Sequence, residues 1–194
     1  MFGPTRVTLG IIALAIGVLT GVTGLAQAPA GQKEEFTAFG VNLDRGRAGV
    51  VDIVIEKWSP DGDREALLQA FAAKGQDEML KQLLKRPRLG YIRLPNTMGH
   101  DIHYAVQQPL PEGGRRVIVV TDRPIGFAEA RNNSRSMDYP FTMVEFRFNA
   151  AGVGEGKMST GTQIMKSKDG THLELEMWGN TPTQFTEVKS KSRK

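Results

Sequence analysis

The chain has no cysteine. That excludes disulfides, thiolate metal sites, a cysteine nucleophile and a lipidated N-terminal cysteine. Histidine is scarce, at three residues, which leaves little for a metal centre that needs three or four converging ligands. Neither sign of charge dominates: 25 Lys+Arg stand against 21 Asp+Glu, a net charge of +4. After residue 26 no apolar stretch is long enough to span a bilayer. What is present is a chain of 194 residues, 40% hydrophobic and 24% charged. That profile fits one globular domain with room for a leader or a tail.

The one long apolar run is N-terminal. Arg6 precedes residues 7–26, which carry no charge, and small residues follow, with Ala28-Pro29-Ala30 in an A-x-A arrangement. A basic start, an apolar run and small residues before a polar stretch make a secretory signal. Cleavage is expected after Ala26, Ala28 or Ala30, with Ala28 disfavoured because Pro29 sits just past the bond. The competing reading is an uncleaved anchor in the cytoplasmic membrane formed by residues 7–26, a run that Gly10, Gly17, Gly21 and Gly24 dilute. Both readings place the folded part outside that membrane, periplasmic or extracellular, where it folds without covalent cross-links. A chain of this size buries roughly 70% of its unfolded surface, so a core alone suffices.

Residues 31–189 read as a single α+β domain and 190–194 as a basic disordered tail. Period-two patterning marks strands at 36–43, 50–58, 89–94, 102–108, 116–121, 141–149, 155–166, 171–178 and 184–189. Turn-like clusters at 42–46, 109–114, 150–154 and 168–170 separate several of them. Between the second and third strands the period changes to that of a helix. Ser59-Pro60-Asp61 offers an N-cap, Leu67, Leu68 and Phe71 share a face, and Gly75 supplies a stop. Asp77 can cap a second helix with Met79, Leu80, Leu83 and Leu84 as its stripe, and Pro87 bars continuation. The expected fold is α+β: a largely antiparallel sheet of about nine strands, as a sandwich or curved barrel, with one helical hairpin packed on it.

Chemistry is thinly signalled. On a regular strand His100-Asp101-Ile102-His103 would set Asp101 and His103 on one face and His100 on the other. With no further ligands in sight, the two histidines read as surface residues beside a turn, and neither a metal nor a cofactor is expected. The loop from Thr121 to Asn133 is more suggestive, because long loops of compact domains often bind something. Asp122, Arg123, Glu129, Arg131 and nearby Asp138 form a candidate polar site in which Arg123 or Arg131 grips a carboxylate or phosphate. The competing reading is that these charges pair with one another and lock the loop onto the sheet edge.

Other catalytic patterns are weaker still. Glycan hydrolysis needs two carboxyls across a cleft, and Asp52/Glu56, Glu174/Glu176 and Asp122/Glu129 fit a solvated face equally well. Ser159 lies outside any G-x-S-x-G, and no S-x-x-K occurs. Gly152-Val153-Gly154-Glu155-Gly156 precedes a strand and so reads as a hairpin turn, not a phosphate cradle. The cations of 81–93 and of the tail suit anionic lipids or envelope polymers. Export argues against a nucleic-acid partner.

Several strings together carry a resemblance: Gly90-Tyr91-Ile92-Arg93, Pro109-Leu110-Pro111-Glu112-Gly113-Gly114-Arg115-Arg116, Thr121-Asp122-Arg123-Pro124-Ile125, Glu129-Ala130-Arg131-Asn132, Asp138-Tyr139-Pro140-Phe141-Thr142 and Gly154-Glu155-Gly156-Lys157-Met158-Ser159. On these the chain resembles a group of uncharacterised exported bacterial proteins, over most of the mature domain. The resemblance implies a bacterial, exported origin and assigns no activity. The expected role is a non-catalytic module that binds an envelope component or a small ligand. Two alternatives stay open. One is an envelope hydrolase using Asp122, Glu129 or Asp138 with an arginine. The other is a carrier of an apolar molecule lined by Phe146, Phe148, Met158 and Ile164.

Overall fold

Strand alternation from Lys33 onward builds a wall that closes on itself. The computed structural model describes residues 33–42, 47–95, 98–123, 125, 140–166, 173–177 and 182–193. The leader and the turns at 43–46 and 168–170 lie outside them. In chain order the elements are β1 (Lys33–Asn42), β2 (Arg47–Ile55), α1 (Asp61–Lys74), α2 (Gln76–Leu84), β3 (Gly90–Arg93), β4 (His100–Pro109), β5 (Arg115–Thr121), β6 (Phe141–Phe148), β7 (Gly154–Lys166), β8 (Leu173–Met177) and β9 (Thr183–Arg193).

Every described strand pairing is antiparallel. The order β6-β5-β4-β3-β2-β1-β9-β7 closes through β6–β7, and β8 adds to β7. The closed body therefore has eight strands, not the expected nine. The reason is in the register. Thr162 pairs with Phe141 of β6 on one side and Met177 of β8 on the other, while Met158 pairs with Val144 and Thr183 of β9. β8 and β9 thus run end to end along the same edge of β7, as one interrupted stave. β9 also continues through Arg193, pairing with Lys33 at the start of β1. The stretch 190–193, read above as disordered tail, is strand because β1 supplies its partner.

Inside the barrel the inward positions of the strands meet. Phe36, Val51, Ile53, Ile55, Ile92, Ile102, Ala105, Val117, Val119, Val144, Phe146, Phe148, Met158, Phe185 and Val188 form one buried cluster. Four phenylalanine rings fill its centre. Phe146 lies 5.4 Å from Phe36, 5.5 Å from Phe185 and 6.3 Å from Phe148 between ring centroids. An eight-stranded barrel is just wide enough for side chains to fill, and burial of each such ring contributes about 2–3 kcal/mol. Glycines on β7 make the room: a Cβ on Gly156 would lie 2.5 Å from the Phe146 ring, and one on Gly154 2.5 Å from the Phe148 ring. Of the residues expected to line a carrier cavity, Phe146, Phe148 and Met158 pack into this core, and Ile164 belongs to a different cluster.

That second cluster lies under the helical hairpin. Leu67, Leu80 and Leu83 from the helices cover Tyr104, Ile118, Val120, Phe141 and Ile164. These are the wall residues of β4 to β7, so the hairpin covers one side of the barrel. Burial pushes the Tyr104 phenol up to about 12. The helix ends differ from expectation. Pro60 and Gly75 occupy the N-cap positions and neither end has a side-chain cap. Asp77 sits inside the first turn of α2, where its charge suits the dipole. Ser59 instead bonds the barrel: its N–H donates to the Ala105 carbonyl at 2.8 Å, and its Oγ accepts from Ala105 N at 3.1 Å. Gly75, with φ +71°, stops α1 as expected.

The far wall carries ion pairs beside an exposed apolar pair, Phe39 opposite Val50. Arg93 pairs with Asp52 at 2.9 Å, and Arg88 reaches Glu56 at 3.3 Å and Asp101 at 3.0 Å. Among the described residues no helix is long and apolar enough to cross a membrane.

Candidate functional site

The barrel has two ends, and each carries a polar set that faces its opening. The first is built on a β-bulge. Ile102 pairs with Thr121 and Tyr104 with Val120, so His103 has no opposite residue on β5. A bulge re-aims the side chain it carries. His103 Nδ1 lies 3.1 Å from the Arg86 carbonyl, in the segment that returns from α2, and Nε2 lies 3.9 Å from Asp122 Oδ1. The histidine therefore joins the hairpin to the end of β5. Asp122 is almost wholly enclosed, its side chain 3% exposed, and Arg123 Nε donates to it at 3.3 Å.

His100 stands in the same field. Burial lowers its pKa first, and the Arg123 cation lowers it further, against the opposing pull of Asp122 and Asp101. The bulge falls at His103 itself, after His100-Asp101-Ile102, so the alternation of those three residues is kept. The burial pattern of β4 marks the inserted residue. Ile102 and Ala105 are both fully buried in the lumen cluster yet three residues apart. Two positions three apart cannot share a strand face unless a residue is inserted between them.

Beyond β5 the chain is stitched across the lumen mouth. Thr121 Oγ1 donates to the Arg123 carbonyl at 2.7 Å and accepts from Thr142 N at 3.3 Å. Ile125 N donates to Thr142 Oγ1 at 2.7 Å. Ile125, 1% exposed, packs into the lumen cluster beneath. The loop site expected from sequence is thus brought together in part. Asp122 and Arg123 are adjacent and ion-paired, while Glu129, Arg131 and Asp138 lie outside the described residues. Asp122 is too enclosed to meet a substrate. Arg123, 43% exposed, presents its guanidinium at the rim.

The opposite end carries a set that sequence reasoning missed. Glu34, on the inward face of β1, is paired across the barrel with Arg115 at the start of β5. One contact is Arg115 Nη1 to Glu34 Oε2 at 3.0 Å, and Arg115 Nη2 and Ser190 Oγ also donate to Glu34 Oε1. Arg115 further donates to Gln107 Oε1 at 2.7 Å and stacks over the Phe148 and Phe36 rings, 5.1 and 5.9 Å from their centroids. Four strands and two aromatic rings hold this lock. Its charges are spent on each other, which suits a floor and not a reaction centre.

Neither end places two carboxyls across a cleft among the described residues, and no group of three potential metal ligands converges there. No family model matches the chain, and no curated protein or solved structure does.

Proposed function

We propose that this chain is an exported, non-catalytic binding module of the bacterial cell envelope, and that it meets its ligand or partner with its rim and outer surface. The observation that supports this mode is the filled lumen. Interlocked phenylalanine rings occupy the space a carrier would keep for cargo, with Glu34–Arg115 below and Ile125 above. The rim offers Arg123 and the half-buried His100 as the polar groups of a small-anion contact, backed by the enclosed Asp122 and His103. The leader, with Arg6 before an uncharged run and the Ala28-Pro29-Ala30 triplet, supports export.

Cell fractionation with N-terminal sequencing tests the compartment. The mature form is expected outside the cytoplasm, beginning after Ala26, Ala28 or Ala30. Recovery in the cytosol with the first thirty residues intact overturns it. Titration with an apolar fluorophore tests the mode: a filled lumen leaves its emission unchanged, whereas tight one-to-one binding would restore the carrier reading.

A further inference from the structure

Barrel closure removes strand edges, yet stretches of edge survive among the described residues, that of β8 among them. β8 pairs with β7 and with no other described strand. β1, which flanks β9, ends at Asn42 opposite Arg47, and its last partner on β9 is Gln184. β8 therefore extends past the end of β1, and β7 extends with it past Phe141, where β6 begins opposite Thr162. A two-stranded ribbon stands beyond the closed wall. On the β6 side its edge is covered: Ile164 N–H donates to Gln76 Oε1 at 2.9 Å, from the first residue of α2.

That hydrogen bond fixes the direction of the backbone on β8. Residues opposite each other in an antiparallel pair exchange both hydrogen bonds or neither. Ile164 sends its N–H away from β8, so the Ile164–Leu175 pair exchanges none. The N–H and C=O of Leu175 then point outward, and with a period of two so do those of Leu173 and Met177. Glu174 and Glu176 bond inward to Met165 and Gln163. Three outward backbone positions thus have no strand partner among the described residues, in a strand that lacks proline and lysine, the residues that commonly blunt such edges.

We infer that Leu173–Met177 is a strand-addition site that takes an extended segment with alternating basic residues. The charge of the strand selects the occupant. Glu174 and Glu176 are its only ionisable residues. A second copy pairing antiparallel about Leu175 would set Glu174 against Glu176 twice, and like charges directly opposite are destabilising. A lysine- or arginine-bearing strand meets the same positions with complementary charge. Main-chain bonding gives affinity and alternate side chains give selectivity in this mode of recognition. The inference rests on the binding-module reading and adds a partner class to it.

Amide hydrogen exchange on the full chain tests it, with a heptapeptide alternating lysine and valine as probe and its glutamate counterpart as control. Alone, the Leu173, Leu175 and Met177 amides are expected to exchange at least tenfold faster than those of Glu174 and Glu176. The lysine peptide slows the three outward amides, and the glutamate peptide leaves them unchanged. Leu175→Pro removes one outward N–H without breaking the β7 ladder and should weaken peptide binding at least tenfold. The double substitution Glu174→Lys/Glu176→Lys should shift preference to the glutamate peptide. Outward amides already protected without peptide, protection that instead grows with the protein's own concentration, or Leu175→Pro binding like the parent would each overturn the inference. None of these outcomes bears on the compartment or on the closed lumen.

Discussion

Glu34 is one glutamate in a polar lead-in, and its partner Arg115 lies 81 residues further on. No local pattern announces such a pair, which is why the floor of the barrel was invisible in the sequence while the Asp122–Arg123 loop was not. Removing one partner of an enclosed ion pair strands the other. Glu34→Ala should cost about 3 kcal/mol, near the low end for such losses because Arg115 keeps some contact with water. The double change Glu34→Met/Arg115→Met should recover most of that, and urea unfolding of both variants reads the difference. At the other end His100 sets a pH dependence. Its folded value lies below the ordinary 6.5, so between the two values the unfolded chain holds more protons. Stability is therefore full above about 6.5 and declines as pH falls toward the folded value. Melting followed from about pH 7.5 to about pH 5.5 should show a smaller loss in His100→Gln than in the parent.

The strands and the helical hairpin were legible because their patterns are local. Val51, Ile53 and Ile55 alternate within β2, and Leu80 and Leu83 repeat at helical spacing in α2; all five are buried as that spacing requires. What escaped was whatever depends on a distant partner. The 190–193 stretch looks like a solvated tail until β1 is beside it, and β8 and β9 look like two strands until β7 shows them to be one stave. The bulges escaped for the same reason. Gly161, at φ +61°, accompanies the slip between Phe141 and Thr142 on β6. Glu187, at φ +52°, accompanies the slips of β9 against both β1 and β7. Gly161 adopts that conformation freely, whereas Glu187 carries a steric penalty of about 1 kcal/mol. Glu187→Gly should therefore stabilise the protein or leave it unchanged, despite glycine's greater unfolded freedom; a raised melting temperature checks it. In the hairpin, Leu83 is 1% exposed, and Leu83→Ala should cost about 2–5 kcal/mol in the same unfolding assay.

For the molecule as a whole, the filled lumen makes a prediction that a carrier would not share. Phe146 touches the three other rings or their neighbours at its centre. Phe146→Ala should cost about 3–5 kcal/mol and leave a dry void. A benzene-sized apolar molecule should raise the melting temperature of that variant and leave the parent unmoved, because only the variant has space to admit it. The arrangement of the two ends has a consequence of its own. Lys33 sits opposite Arg193 at the Glu34–Arg115 end, while Asp122 and Arg123 crown the other. A group fixed at Lys33 would stand at the floor, with the Arg123 crown at the opposite tip, a full strand length from it.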